Sequence, residues 1–540
     1  MTAEGGRGNL VLAAMIFAVA MTFIDQTIVS ISIPEIQKDL DLSGTGVQWV
    51  INGYLLTLAA LFAFGGKVAD VLGRRRMVVT GILIFTSASV LCGATPATSL
   101  AEAWLIVFRV IQGAGAALMF PAALAIVISA FPVERRGQAM ALFFGISGGL
   151  TAIGPIAGGY LSEGTWRSIF WINVPVALIA LFLLGRARPR EVRHQQPIDI
   201  RGAILITLGM GLAVLGLQQS ATWGWSSPAT WLSIAVGLVI LVLFVRYELG
   251  QEHPLIQVRI FLDKAFSADS AILFLLSIAF VPLFFFASMY SQVSLGWSPS
   301  ESGLYLLIFF GGFASASQIG GRILDSRGAR PAMILGGLIA AVGFALWAGK
   351  LTDLDGGAGA QWPFIVLAGA GLGLLLSPAS TDAVNRAPNT SYGEATGITQ
   401  TVRNFGASLG MAVLGSIMLL VNRSHIESSF AELGAPKAAA DRVADQLSGG
   451  AVGGGGHAEL AAKAGGKAEE FLHAVQLDFA MSVRTVLYLM AAVMALCFLV
   501  ALIWSPSGRM EEIVIDGDED GAAGEAAPAG APPAGGAEAG

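Results

Sequence analysis

The sequence is poor in the residues that soluble chemistry uses. It has 2 cysteines and 5 histidines in 540 residues, and only 13% of the chain is charged. Cys92 and Cys497 both lie in apolar runs, so they provide neither a disulfide framework nor a metal spacing. The histidines, His194, His253, His425, His457 and His473, all fall in polar stretches. Carboxylates are left for any proton chemistry inside an apolar segment. HExxH, paired-cysteine metal spacings and the nucleotide loop GxxxxGK[ST] are absent, which argues against a metalloenzyme or an ATP-driven pump within this chain. GxSxG occurs as GISGG from Gly145 and GASLG from Gly406, but both copies fall in predicted membrane helices, where no strand-to-helix nucleophile elbow can form. No cofactor, metal or nucleic-acid partner is expected.

Apolar length is what the chain has in abundance. Hydrophobic residues make up 55% of it. A soluble domain carries about 25% charged residues, so this composition belongs in lipid. One crossing per run of about 20 apolar residues predicts spans near 9–31, 47–65, 77–96, 103–130, 139–162, 168–185, 201–219, 229–247, 266–290, 301–321, 332–350, 363–381, 394–421 and 481–504, fourteen in all. MTAEGGRGN precedes the first run, which has no small-residue cleavage site and reads as a retained span. With the N-terminus inside, the inner loops carry Lys67, Arg74, Arg75, Arg76, Arg135, Arg136, Arg186, Arg188, Arg190, Arg193, Arg246, Arg259, Lys264, Arg322, Arg327, Arg330 and Arg386. The outer loops carry little beyond Lys38, Arg167 and Lys350. This positive-inside bias predicts a multi-pass protein of the cell inner (plasma) membrane with both termini cytoplasmic.

An internal repeat organises the spans. Gly65 to Arg76 reads GGKVADVLGRRR and Gly320 to Pro331 reads GGRILDSRGARP. The offset, 320 − 65 = 255, also relates Gly66 to Gly321, Lys67 to Arg322, Asp70 to Asp325, Gly73 to Gly328, Arg75 to Arg330 and Ser43 to Ser298. Parallel repeats about an axis along the membrane normal are a common transporter architecture. The predicted fold is all-α and membrane-integral. Two six-helix bundles, 9–186 and 265–504, stand in pseudo-twofold repeat, with an inserted helix pair and its cytoplasmic loops at 187–264. Residues 1–8 form a short cytoplasmic N-terminus. Residues 422–478 form an outer loop rich in Gly and Ala, with short helices near 428–447 and 458–475. The low-complexity acidic tail, 505–540, cannot bury enough surface to fold.

One acid stands inside the first span. Asp25 lies within LVLAAMIFAVAMTFIDQTIVSISI, with Thr22 and Thr27 close by and Met21 and Val29 on its helical face. A carboxylate at that depth costs roughly 2.5 kcal/mol or more and usually faces a protein-lined cavity. Position alone leaves two readings: a functional acid, or a side chain that only bonds a neighbouring helix.

The motifs then narrow the choice. FIDQTIVSISIP (Phe23–Pro34), GGKVADVLGRRR, RVIQGAGAALMFP (Arg109–Pro121) and GISGGLTAIGPIAGGYL (Gly145–Leu161) resemble motifs of the major facilitator superfamily. DIRGAIL (Asp199–Leu205), WGWSS (Trp223–Ser227) and HPLIQVRIFLDKAF (His253–Phe266) resemble its fourteen-span drug:proton antiporter branch, EmrB/QacA-like. Ser30 departs from the family, which usually has Asn there. The resemblance implies proton coupling at Asp25, with Arg109 near the acid and governing its proton. It implies a conformational latch of Gly66, Asp70, Gly73 and Arg74, with Asp325 in the second copy. In that latch Asp70 docks near the start of a helix in the other half. It also implies an antiporter segment at Gly154, Pro155, Gly158 and Gly159 that goes with export.

The residues themselves support parts of this. Arg109 and Gln112 are three apart on one helix face, and an arginine in lipid needs a carboxylate or several carbonyls. Gly154-Pro155 removes a helix hydrogen bond and predicts a kink. Pocket candidates are Trp49, Asn52, Tyr54, Gln112, Tyr290, Gln318, Arg403 and Asn404. Aromatic faces suit flat lipophilic cations, and near span ends they equally serve as interfacial anchors. Asp269, Asp382 and Glu394 lie near span ends, where a second proton site and a solvated acid are both open readings. The expected function is proton-coupled multidrug efflux of lipophilic, often cationic, compounds by alternating-access antiport. Export of an endogenous lipid or metabolite, and proton symport in the uptake direction, are the alternatives. The expected partners are protons, a lipophilic small molecule and membrane lipid, and no dimer motif is evident, so a monomer is expected.

Overall fold

The computed structural model describes residues 2–131, 153–189, 199–386, 392–432 and 468–506, with scattered positions between 139 and 151. Helices α1 (Thr2–Leu40), α2 (Gly44–Leu72), α3 (Arg74–Gly93), α4 (Ala101–Ala130), α5 (Ile153–Gly164), α6 (Ser168–Trp171) and α7 (Asn173–Ala187) build the N-terminal half. The inserted pair is α8 (Ile200–Trp223) and α9 (Pro228–Glu248). A 3-10 turn at Val258–Leu262 leads to the C-terminal half: α10 (Lys264–Val293), α11 (Pro299–Arg327), α12 (Ala329–Ala348), α13 (Gly357–Asn385), α14 (Tyr392–Glu432) and α15 (Ala468–Ile503). Among the described residues, 13 helices are long and apolar enough to cross a membrane, which makes this a multi-pass membrane protein. The expected fifth span, 139–162, is described as a continuous helix only from Ile153 onward. The expected acidic tail lies outside the described residues beyond 506.

The repeat read from the loops extends to helix lengths. Helices α2 and α11 each have 29 residues and start 299 − 44 = 255 apart. Helices α3 and α12 each have 20 residues and start 329 − 74 = 255 apart. The starts are set by serine caps: Ser43 Oγ accepts from Gly46 N at 2.9 Å, and Ser298 joins Glu301 in a capping box. The ends are set by Gly73 and Gly328, at φ 110° and 86°, where a residue with a Cβ is strained. The bundle thus has a serine end, where α2 and α11 begin, and an arginine end, where the Arg74–Arg76 and Arg327–Arg330 turns lie.

The halves meet at named seams. Helix α2 packs on α14, α5 on α11, and α1 on α10, while α8 lies against both α2 and α14. The contacts that join the halves gather toward the serine end. A Cβ added at Gly303 would sit 2.3 Å from Pro155 O, and one at Gly159 would sit 2.7 Å from Pro299 O. Ser300 hydrogen-bonds Glu163, and Gln292 Nε2 donates to Ile31 O at 2.8 Å. These contacts close the serine end. Toward the arginine end, Phe17 on α1 and Gln318 on α11 are exposed.

Several helices outrun the expected spans. Helix α1 continues through Pro34 to Leu40. Helix α14 runs to Glu432 and α15 begins at Ala468, so 422–432 and 468–478 of the expected outer loop are helical. The expected short helix at 428–447 is, as far as Glu432, a continuation of α14; the rest of it, and 458–467 of the second, lie outside the described residues. The cause is physical. Forty-one residues at 1.5 Å each reach about 62 Å, against roughly 30 Å of hydrocarbon, and the overhang is stabilised by side chains rather than lipid. The rings of Phe430 and Phe471 lie 5.0 Å apart, and Ser429 Oγ donates to Asp478 at 2.9 Å.

The tight Gly303–Pro155 contact predicts that Gly303→Leu wedges α5 from α11. A cysteine placed at Gln292, which is 2% exposed, is expected to resist a water-soluble maleimide in the parent and to label rapidly in the Gly303→Leu background. Equal labelling in both would show that this seam does not close the serine end.

Candidate functional site

Helices α2, α3 and α4 close on one another through glycines. A Cβ at Gly113 would stand 2.7 Å from Tyr54 O, and one at Gly65 would stand 2.0 Å from Ala117 O. Backbones this near leave no lipid or water between α2 and α4, and Arg109 projects from α4 into that dry space. Its exposure is 1%, and that of Asp25 is 0%.

The guanidinium is held through Nη1 and Nε. Arg109 Nη1 donates to Asp25 Oδ2 at 2.6 Å and to Gln112 Oε1 at 2.7 Å. Arg109 Nε donates to Val50 O at 2.8 Å, and the group lies 4.5 Å from the Tyr54 ring centroid. Gln112 Nε2 donates to Asp25 Oδ1 at 2.9 Å, so both carboxylate oxygens are satisfied. Two charges in a medium of low dielectric need this completeness, because desolvation otherwise exceeds their attraction. The expected proximity of Arg109 to Asp25 is present, and Gln112, expected in the pocket, joins them. The expected cavity wall is not: in this state Asp25 faces Arg109 inside the N-terminal half, sealed from water.

The glycine segment of α5 lies over α1 just past the acid. A Cβ at Gly154 would meet Thr27 Oγ1 at 1.9 Å, and one at Gly158 would meet Ile28 O at 3.0 Å. Thr27 Oγ1 also donates to Thr151 O at 2.9 Å. Gly159 and Pro155 face α11 instead. One short helix therefore touches both the helix of Asp25 and the seam between halves. Pro155 stands in the first turn of the described helix, so the kink expected there falls at the margin of the described residues.

Among the described residues, Asp70 and Arg74 bond within their own half. Asp70 pairs with its own loop, 2.9 Å from Arg74, whose Nη1 also donates to Ala125 O at 3.4 Å. Gly66 is half-buried and Gly73 forms the turn. The side chains of Asp325 and Glu394 lie outside the described residues.

Four of the eight pocket candidates are internal, among them Gln112, which bonds Asp25 and Arg109. Tyr54 lies beneath Arg109, and Tyr290 Oη donates to Leu351 O and accepts from Gln361 Nε2, each at 2.8 Å. Asn52 is 0% exposed, bonding Ser408 and, at 2.5 Å, Gln218 of the inserted helix α8. These three are structural, because buried polar groups must find partners. Trp49, Arg403 and Asn404 are half-buried, and Gln318 is exposed. Arg403 Nη1 donates to Gln400 Oε1 at 3.0 Å, and Asn404 Nδ2 donates to Gln400 O at 2.9 Å. Ser408, the serine of GASLG, is a helical residue bonded to Asn52, as a packing role requires.

Sequence reasoning missed a ring cluster. The repeat offset carries Asp25 to 25 + 255 = 280, which is Phe280. Its ring centroid lies 5.3 Å from Phe284 and 5.3 Å from Phe313. Phe309 and Phe310 complete the group, and Phe313 is half-buried at its edge. One half thus carries a charge pair where the other carries aromatic surface. The offset itself could have found it.

The sequence pattern of the Major Facilitator Superfamily matches residues 15–411. The chain is 34% identical over 416 residues to a tetracenomycin C resistance and export protein of Streptomyces glaucescens, covering 76% of each. It is 34% identical to a puromycin resistance protein of Streptomyces alboniger, covering 75% of this chain and 81% of that one. It is 31% identical to a multidrug transporter of Bacillus subtilis (strain 168), covering 77% of each. Among solved structures, a bacterial homologue of the human lysosomal transporter Spinster, inward-facing and unoccupied, aligns with a TM-score of 0.61. That alignment is 17% identical and covers 92% of this chain and 98% of the other.

Removing one member of the ion pair strands the other. Arg109→Ala is expected to lower stability in detergent by about 3–5 kcal/mol, since it leaves a buried carboxylate without its cation. The deficit should shrink in acid, where protonation removes the stranded charge. Asp25→Asn keeps an acceptor for Arg109 and should cost less. Thermal unfolding of both variants across pH checks the order, and equal losses would contradict it.

Proposed function

This chain belongs to the major facilitator superfamily, and we propose from that membership that it is a proton-coupled multidrug exporter working by alternating access. It is a secondary transporter and not an enzyme. Its cargo is a lipophilic small molecule, and its relatives are named for antibiotic and multidrug export. The observation that carries the reading is the sealed Asp25–Arg109 pair, 2.6 Å long, lying one helix away from a seam that must open.

The arginine-rich end belongs in the cytoplasm of a cell-membrane protein, with both termini on that side, by the positive-inside bias. The state described is then closed toward the outside. Cargo enters from the cytoplasm or inner leaflet and meets the phenylalanine cluster around Phe280, whose half-buried edge at Phe313 suits an apolar ring system. Opening the serine end must separate α5 from α11, and α5 also covers α1 beside Asp25. Water then reaches the acid from outside. A proton on Asp25 cancels its charge, frees Arg109 and removes the electrostatic reason for α1 to stay against α4. Release of the proton to the cytoplasm restores the pair. Asp70 and Arg74 belong to the latch of the opposite state, which forms when the arginine end closes. The working unit is a monomer, since the pair and both seams lie within one chain.

The energetics suffice. One charge moved across 100 mV is worth about 2.3 kcal/mol, and about 1.4 kcal/mol is a factor of ten. A single proton therefore sustains roughly a fortyfold gradient of a neutral cargo.

The test uses proteoliposomes with an acidic lumen and puromycin as the probe. Added puromycin is expected to alkalinise the lumen as protons leave in exchange. Asp25→Asn should slow this at least tenfold while the protein still folds. Exchange at the parental rate in Asp25→Asn would reassign the coupling site.

A further inference from the structure

Helices α10 and α13 hold the same places in the C-terminal half that α1 and α4 hold in the N-terminal half. They too carry charged groups in contact, but at the arginine end. Asp269, on the second turn of α10, is 0% exposed, and neither of its carboxyl oxygens has a hydrogen-bond donor among the described residues. The side chain lies within hydrogen-bonding reach of Asp382 on α13. Asp382, 3% exposed, accepts from Arg386 Nε at 2.8 Å. Asp263, the N-cap of α10, is the other charged group that reaches Asp269, and its own Oδ1 is occupied by Phe266 N at 2.8 Å.

Two ionised carboxylates in contact and out of water repel, and one arginine neutralises only one of them. A single proton between the acids resolves both problems. It supplies the missing donor, and it brings Asp269, Asp382 and Arg386 to zero net charge, as Asp25 and Arg109 already are. We propose that Asp269 and Asp382 share one proton, forming a second proton-binding site in the C-terminal half. Asp269 carries the proton and donates it to Asp382, which Arg386 holds in place. The site takes its proton from water and returns it to water with no other reactant. Its use in transport rests on the reading of the chain as a proton-driven exporter; the shared proton does not.

The shared proton has a spectroscopic signature separate from transport. Infrared spectra of the full-length protein in lipid at neutral pH, compared in H2O and D2O, are expected to contain a protonated-carboxyl C=O band. The band should survive in Asp25→Asn and be lost in Asp269→Asn and in Asp382→Asn. Asn at 269 retains a donor toward Asp382, so that variant keeps its fold; Asp269→Ala serves as a second variant and should lose the band as well. A band unchanged in the Asp269 variants overturns the proposal. So does its absence from the parent together with a sodium-dependent rise in melting temperature, which would put a metal cation between the acids. In the puromycin assay, Asp269→Asn is expected to lower the proton-to-drug ratio by one and leave exchange active. Loss of exchange in Asp25→Asn alone, with no infrared change in Asp269→Asn, would support the exporter and overturn the second site.

Discussion

An ion pair buried inside the N-terminal half sets the constraint on which the rest of that half depends. Asp25 and Arg109 lie 2.6 Å apart and are 0% and 1% exposed. Gln112 bonds both partners, Val50 O accepts from Arg109 Nε, and the Tyr54 ring lies against the guanidinium. Such a pair is not a strong source of net stability, because desolvation offsets most of the attraction. It is a sensitive switch instead. Removing one charge leaves the other stranded, so a proton on the carboxylate has a large effect for a small ligand. The glycine contacts that dry the site, Gly113 on Tyr54 O and Gly65 on Ala117 O, create that sensitivity.

The rest of the fold decides when the switch is reachable. Helices α2 and α11, and α3 and α12, match in length and cap chemistry, but equivalent positions elsewhere have diverged: an acid at 25 and a phenylalanine at 280. Charge and apolar surface are thereby separated between bodies that move relative to one another. Helix α5 couples them, since its glycines touch α1 on one side and α11 on the other. The inserted helix α8 meets both halves as well, through Gln218 at Asn52 and through its backbone carbonyls at Ser416 Oγ. A rocking motion has to preserve or exchange these buried bonds, because leaving such groups unpaired is costly.

Much of this was legible in the sequence for identifiable reasons. Asp25 stands out because an acid in an apolar run is rare. The 255-residue offset stands out because loops need glycine and arginine at fixed places. The nearness of Arg109 to Asp25 was expected from the resemblance, and the three-residue spacing put Gln112 on the face of Arg109, but its bond to Asp25 was not foreseen. Pairings that depend on where helices cross were not legible. Nothing local says that Asp269 meets Asp382, that Asn52 meets Ser408, or that Tyr54 lies under a guanidinium rather than beside a cargo. Helix ends were misjudged at α1, α14 and α15 because an apolar-length rule measures the hydrocarbon layer and not the helix. The latch residue Asp70 was expected across the interface and pairs with Arg74, four residues on in its own loop.

The central claim is that protonation of Asp25 releases the serine end. Distances between spin labels, one pair spanning the α5–α11 seam and one spanning the arginine end, test it most directly in lipid across a pH range. Acid should lengthen the serine-end distance and shorten the arginine-end one, and Asp25→Asn should hold the acid distances at every pH. Distances that ignore pH in the parent, or that follow pH equally in Asp25→Asn, would contradict it.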